Sequence, residues 1–229
     1  MAQVWKIRLP DGRTYTPGDW TTAEPLWSTV EVAAAAVPIL AAFSYGVGGD
    51  VPGSVGPREA DLRDTNLEGE GGKLPENQEL VIFNICVEVF KNGAGAGGDA
   101  IPQTDQPDVS ILDMLRLQRD MIMRLRIADV KDYTQFPISY FPASTGVEQY
   151  NSGARSVANA ARGFMAANNG GTSVGDQRVL SAPHYVAGGE AFRLDFEAGP
   201  GQVNGLDLAA NETMVLRTYL DGYIRRPVA

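Results

Sequence analysis

Residues 80–90 carry the strongest strand signal in the chain and read Leu80-Val81-Ile82-Phe83-Asn84-Ile85-Cys86-Val87-Glu88-Val89-Phe90. All odd-numbered positions are apolar, whereas the even-numbered positions begin with Leu80 and Ile82 and then become mixed. Side chains alternate between the two faces of a strand. The pattern therefore predicts a strand that is buried on both faces at its start and on one face at its end.

The same two-residue alternation recurs along the chain. Residues 191–197 alternate without exception, with Phe192, Leu194 and Phe196 on one face and charged side chains on the other. Further strands are predicted at residues 4–9, 39–47, 121–130, 136–141, 178–182, 185–187 and 214–224. The segment 21–36 is ambiguous, since Pro25 also suits the first turn of a short helix.

Two segments have helical spacing. Asp108 is a candidate N-cap for a helix that reaches Arg119. Residues 156–169 place apolar side chains on one stripe before a pair of glycines, which predicts a second short helix. Two long glycine-rich or polar segments, about residues 50–79 and 92–107, are predicted to be loops.

These elements predict an all-β fold. Strands do not alternate with helices, as a parallel α/β sheet would require, and no motif repeats with a fixed period. We expect a single domain over residues 1–229, a β-sandwich of about eight antiparallel strands with one or two short inserted helices.

Composition excludes several functional classes. The net charge of −9 argues against coating of nucleic acid and against a polybasic membrane anchor. Cys86 is the only cysteine, so neither an intrachain disulfide nor a Cys-based metal site is expected. The first residues lack the pattern of a signal peptide, and the longest apolar segment, residues 32–43, is too short to cross a bilayer.

Catalytic constellations are not evident. His184 is the only histidine, and there is no G-x-S-x-G sequence around a nucleophile. One histidine also excludes a zinc site built on histidines. The glycine-rich residues 93–98 are followed by Asp99 rather than by the Lys-Ser/Thr of a phosphate loop, so we interpret them as a connector.

Charged residues cluster in three places. Carboxylates that a glycosidase or a calcium site would need occur at residues 61–70 and at Asp195 and Glu197, the last two on the outward face of a strand beside Arg193. The densest basic segment contains Arg116, Arg119, Arg124 and Arg126 with interleaved aspartates, which favours ion pairs within or between subunits. No catalytic, cofactor-binding or metal-binding residue is assigned.

Three segments resemble the jelly-roll capsid proteins of tailless icosahedral bacteriophages, many of which contain a membrane. They are a polar thread at residues 63–67 followed by Leu74-Pro75 and a long strand, the segments 179–183 and 188–194 around Pro183, and the closing strand 214–223. The resemblance implies a jelly roll, with a single roll favoured and a compact double roll left open.

The resemblance also implies a structural role without enzymatic activity or a cofactor. We expect a virion protein made in the host cytoplasm, the major capsid subunit, whose partners are copies of itself, other virion proteins and an underlying lipid bilayer, but no specific nucleic acid sequence. The alternatives are a minor capsid, penton or spike-base protein, and a carbohydrate-binding β-sandwich module whose aromatic side chains would be Trp5, Trp20 and Trp27.

Overall fold

The computed structural model describes residues 7–8, 12, 14–15, 25–33, 39–54, 56–92, 116–128, 131–141, 148–152, 164–168, 179–198, 206 and 213–225. Within these ranges the protein is mostly β-structure, residues 43–78 are mainly turns and loop, and the helical parts are residues 116–120 and a 3₁₀ turn at Ile138–Tyr140. The strands are β1 (Ile7–Arg8), β2 (Thr14–Tyr15), β3 (Leu26–Ala33), β4 (Ile39–Ala42), β5 (Glu79–Asn92), β6 (Met121–Ile127), β7 (Lys131–Pro137), β8 (Glu148–Ser152), β9 (Phe164–Asn168), β10 (Val179–Val186), β11 (Phe192–Ala198) and β12 (Thr213–Arg225).

Eight of these strands form two four-stranded antiparallel sheets. Sheet 1 has the order β10-β5-β12-β3 and sheet 2 has the order β4-β11-β6-β7, while β1-β2 and β8-β9 form separate pairs. One hydrophobic cluster joins the inner faces, with Ile85 and Leu216 from sheet 1 and Leu125 and Phe196 from sheet 2 fully buried. The prediction of an all-β sandwich of about eight antiparallel strands is confirmed.

Strand pairing in the sandwich is nested. The first of its eight strands pairs with the last (β3 with β12), the second with the seventh (β4 with β11), the third with the sixth (β5 with β10), and the two middle strands β6 and β7 with each other. Two further antiparallel pairings, β5 with β12 and β6 with β11, complete the sheets. Each sheet therefore contains strands from both halves of the chain.

A β-bulge interrupts the pairing of β5 with β12. Asp221 lies opposite Asn84, but the next residue, Gly222, lies opposite Ile82, so that Phe83 is an extra residue on β5. A bulge of this kind places an unpaired residue on one strand and shifts which face the following side chains occupy.

The bulge explains the mixed pattern of residues 80–90. Leu80 and Ile82 are fully buried in the core before the bulge, and Ile85 is fully buried there after it. Val81 and Phe83 instead pack together on the outer face of sheet 1. The apolar odd-numbered positions therefore do not share one face, because the inward positions change from even to odd numbers at Phe83.

Two further strand assignments differ from expectation. Pro183 does not divide β10, which runs from Val179 to Val186 with a register shift between Val179 and His184. Proline is tolerated because β10 is an edge strand and needs hydrogen bonds on one side only. The strand expected at residues 136–141 is the end of β7 followed by the 3₁₀ turn.

The helix expected at residues 156–169 is wrong in its second half. Residues Phe164–Asn168 form β9, which pairs with Glu148–Ser152 along its whole length, while residues 156–163 lie outside the described ranges. Apolar spacing over so few residues does not distinguish the two periods, and an adjacent partner strand satisfies the backbone as well as a helix does. Of the helix expected to start at Asp108, residues 116–120 are helical and residues 108–115 lie outside the description.

The segment between β4 and β5 covers the free edge of β3. Backbone N–H of Glu31 donates to Pro52 O at 2.8 Å, and the backbone N–H of Trp27 donates to Asn66 Oδ1 at 2.8 Å. Tyr45 adds its hydroxyl, which contacts both the N–H and the carbonyl of Thr29. An uncovered edge strand is a template for pairing with another chain, so this loop removes one such edge.

Of the other predicted loop, 92–107, Asn92 is the last residue of β5 and the remainder lies outside the described ranges.

An ion cluster holds that loop against the outer face of β3. Arg58 bonds both carboxylate oxygens of Asp64, at 2.9 and 2.8 Å, and Glu31 Oε1 at 2.7 Å. Glu31 and Asp64 are 3% and 4% exposed, and Glu31 also accepts a hydrogen bond from Thr213. Arg58 thus neutralises two buried carboxylates from different segments.

Replacement of Gly222 tests the bulge. A Cβ at this position would overlap the carbonyl oxygen of Val81, so Gly222→Ala must displace the backbone of β5 and is expected to lower the unfolding free energy by about 2–4 kcal/mol in urea titrations. Gly56→Ala is the control, because its Cβ enters open space and only a positive φ of 87° opposes it, a cost of about 1–2 kcal/mol. Equal losses of unfolding free energy in Gly222→Ala and Gly56→Ala would contradict the role assigned to Gly222 at the bulge.

Removal of Arg58 tests the ion cluster. Arg58→Met leaves Glu31 and Asp64 buried without their cation, and we expect a loss of about 3–5 kcal/mol in the same titration. Arg63→Met is the matched control, since Arg63 pairs with the half-exposed Asp61 and such pairs contribute about 1 kcal/mol or less. A loss at Arg58 no larger than at Arg63 would show that the cluster does not hold the loop.

Candidate functional site

His184 lies on β10 at the edge of sheet 1 and bonds to sheet 2. Its Nε2 is 2.9 Å from Oγ1 of Thr134 on β7, the edge strand of the other sheet. Burial lowers the pKa of His184, which favours the neutral ring at neutral pH. The only histidine therefore joins the edges of the two sheets.

The carboxylates considered for catalysis are paired with arginines. Arg126 Nε lies 3.0 Å from Asp195, and Arg124 Nη2 lies 2.8 Å from Glu197. Asp195, expected on a solvated face, is only 4% exposed because the side chains of Arg126 and Arg193 lie against it. The expectation of ion pairing in the basic segment holds within the chain for Arg124 and Arg126, and for Arg119, which lies 2.6 Å from Asp120.

Of the tryptophans and the glycine-rich segment considered in the sequence, only Trp27 lies in the described ranges. It is half-buried and donates its Nε1 hydrogen to Leu62 O at 3.0 Å, so its ring contacts the loop between β4 and β5. Trp5, Trp20 and residues 93–98 lie outside the described ranges. Among the described residues, no three His, Cys, Asp or Glu side chains converge as metal ligands would. In the same ranges, no helical segment has the length and hydropathy needed to cross a membrane.

An aromatic patch on the outer face of sheet 1 was not anticipated. It consists of Val81, Phe83, Tyr185 and Tyr223, and we call these four residues the aromatic patch. Tyr185 and Tyr223 lie opposite Val81 from its two sides, in a row across β10, β5 and β12. Phe83 meets Tyr223 edge to face, with ring centroids 5.5 Å apart. The three aromatic rings are partly exposed, and they cover Val81 almost completely.

Strand β12 carries a regular row of polar and aromatic side chains that includes Tyr223 of the patch. From residue 217 onward its outward positions are Arg217, Tyr219, Asp221, Tyr223 and Arg225, an acid between two tyrosines and two arginines.

The ends of this row are paired with β5. Tyr219 donates its hydroxyl hydrogen to Glu88 at 3.1 Å, and Arg217 lies 3.9 Å from the same carboxylate. At the other end, Arg225 lies 3.3 Å from Glu79, on an exposed part of the surface.

Asp221 differs from the other charged members of the row. Within the described part of the chain it makes no hydrogen bond and no ion pair, and burial raises its pKa. Close by on β5, burial raises the pKa of the Cys86 thiol to about 12, with a further contribution from the charge of Asp221. A half-buried carboxylate without a partner costs stability when it is ionised.

Comparison of the chain with models of known protein families, with curated proteins and with solved structures found no match. The aromatic patch and Asp221 are therefore identified by geometry alone. A sequence signal for them does exist, because Tyr219, Asp221 and Tyr223 alternate with the buried residues of β12. What sequence reasoning missed is the bulge that places Phe83 on the same face.

Replacement of Asp221 by asparagine is expected to stabilise the folded chain at neutral pH. Because the folded state raises its pKa, protonation of Asp221 adds stability at acid pH, and this stability is lost as the pH rises through the folded pKa. Thermal unfolding of dilute protein should give a higher Tm for Asp221→Asn than for the wild type at pH 8, and the difference should shrink towards pH 4.

Asp61→Asn is the matched control for this measurement. Hydrogen bonds from Arg63 lower the pKa of Asp61, so its ionised form is favoured by folding and its replacement should bring no gain at pH 8. An unchanged or lower Tm for Asp221→Asn at pH 8 would contradict the cost assigned to the Asp221 carboxylate.

Proposed function

We propose that the protein is a virion structural protein, the major capsid subunit, which assembles into an icosahedral shell as a single jelly roll. Its partners in this role are copies of itself, other virion proteins and an underlying lipid bilayer. The role needs no catalytic group, cofactor or metal.

The nested strand pairing is the observation that carries the proposal. A jelly roll is a long antiparallel ribbon of strand pairs that is wrapped until its strands lie in two four-stranded sheets. The pairs β3–β12, β4–β11, β5–β10 and β6–β7 form such a ribbon, and the pairs β5–β12 and β6–β11 are the contacts that wrapping creates. Eight strands in one sandwich favour a single roll over a double one.

The covered edge of β3 supports a role as a shell subunit. The loop that contains Pro52 and Asn66 occupies this edge, and the Thr134–His184 contact links the strands β7 and β10 across the sandwich. A covered edge cannot add a strand from another chain, so association at β3 through side chains and loops is favoured over strand addition. The partly exposed aromatic patch supplies a face for such an association.

Carbohydrate binding is the second candidate, and the aromatic patch is the observation that favours it. Sugars stack on the flat faces of aromatic rings, and three such rings lie on one sheet face. The edge-to-face arrangement of Phe83 and Tyr223, with planes 89° apart, does not form a flat platform, and this favours a protein contact instead. A glycan array separates the two functions.

Particle formation tests the proposed function. Purified protein is expected to form capsomers or closed shells, which mass photometry and negative-stain electron microscopy would detect as the concentration is raised. A monomer at all concentrations would contradict the proposal. Copy number in purified particles then separates the major subunit from a minor capsid, penton or spike-base protein.

A further inference from the structure

From the outer face of sheet 1 we infer a specific contact between two copies of this chain. In it, the aromatic patches of the two copies pack together around a two-fold axis near Tyr223, and Asp221 of each copy meets Arg225 of the other. This inference rests on the proposed function, because it names the partner of a self-assembling subunit.

The composition of the face fits a protein contact. Its centre is apolar and aromatic, and its border carries Asp221, Arg225 and Glu79. Buried aromatic centres with charged borders are typical of stable interfaces, and tyrosine is among the residues that contribute most binding energy. The border carries both signs of charge, so the face can complement itself.

The order of charges along β12 selects the partner. Asp221, Tyr223 and Arg225 follow each other at two-residue intervals on one face, so each charge lies about 7 Å from the tyrosine between them. The two-fold axis passes beside Tyr223, lies in the plane between the two facing sheets and is perpendicular to their strands. Rotation about this axis reverses the strand direction, so the two β12 strands face each other antiparallel. It thereby places Asp221 of one copy opposite Arg225 of the other, twice.

Asp221 gains a partner in this arrangement, and Arg225 is accessible to supply it. Asp221 has no hydrogen bond or ion pair within the described residues, and a guanidinium from the second copy would supply one. Arg225 lies 3.3 Å from its own Glu79 and keeps 46% of its side chain exposed, so a carboxylate of the second copy can reach its guanidinium. A guanidinium has five N–H donors, so contact with Asp221 does not require Arg225 to give up the bonds it makes in its own chain.

Charge exchange between the two positions tests the contact. Asp221 and Arg225 are four residues apart on one strand, about 13 Å, and do not reach each other within one copy. In a Glu79→Gln background, Asp221→Arg or Arg225→Asp alone should weaken self-association at least about tenfold in sedimentation velocity. The double variant Asp221→Arg/Arg225→Asp should return to within about threefold of the background protein.

Two controls accompany the exchange. Asp61→Arg/Arg63→Asp exchanges an exposed ion pair in the loop over β3 and should leave this association unchanged. Asp221→Asn should weaken association while it raises the Tm of the dilute subunit, a combination that a purely structural role would not produce. Circular dichroism of each variant shows whether the fold is retained.

Recovery of association in the double variant supports the contact. If the double variant stays as weak as the single ones, or Asp221→Asn associates like the wild type, the contact is overturned. If the protein forms larger assemblies and none of these substitutions affects them, the contact is overturned but the proposed role as a capsid subunit is not. If the wild-type protein never self-associates, both the contact and the proposed role are overturned.

Discussion

The pairing of β5 with β12 is the interaction on which the rest of the structure depends. These are the longest strands, with 14 and 13 residues, and they form the middle of sheet 1. Strands β10 and β3 each attach to one of them. The bulge at Phe83 divides their pairing into two segments, and the inward positions of β5 change from even to odd numbers between them. A single extra residue on β5 therefore determines both what fills the core and what forms the aromatic patch.

The sequence predicted best the strands that have one buried and one open face. In β6 and β11 alternation is preserved because the outward side chains are long and charged, as with Arg124 and Arg126. Strand β3 could not be predicted in this way, because the loop between β4 and β5 covers its outer side and nearly every residue from Leu26 to Val32 is buried. Strand β9 was missed because its assignment depends on a partner, Glu148–Ser152, that local spacing does not identify.

The candidate site depends on tertiary structure more than the fold does. The sequence shows that Asp221 alternates with apolar residues, as Asp195 does, and alternation alone does not distinguish the two aspartates. Their environments differ because Asp195 has Arg126 and Arg193 against it, whereas Asp221 has tyrosines on either side along β12. Only the arrangement of neighbouring strands separates a satisfied carboxylate from an unsatisfied one, and this arrangement is what the nested pairing creates.

Nested pairing also determines the order of events while the chain is being made. Thr213 and Glu31 hydrogen-bond across 182 positions of sequence, and among the described strands β3 pairs only with β12. Neither the pairing of β3 nor sheet 1 is complete until β12 has left the ribosome, and folding that relies on such distant contacts is slow. A nascent chain therefore exposes β3 without its partner strand until β12 has emerged, and over that interval β3 is an open template for pairing with other chains.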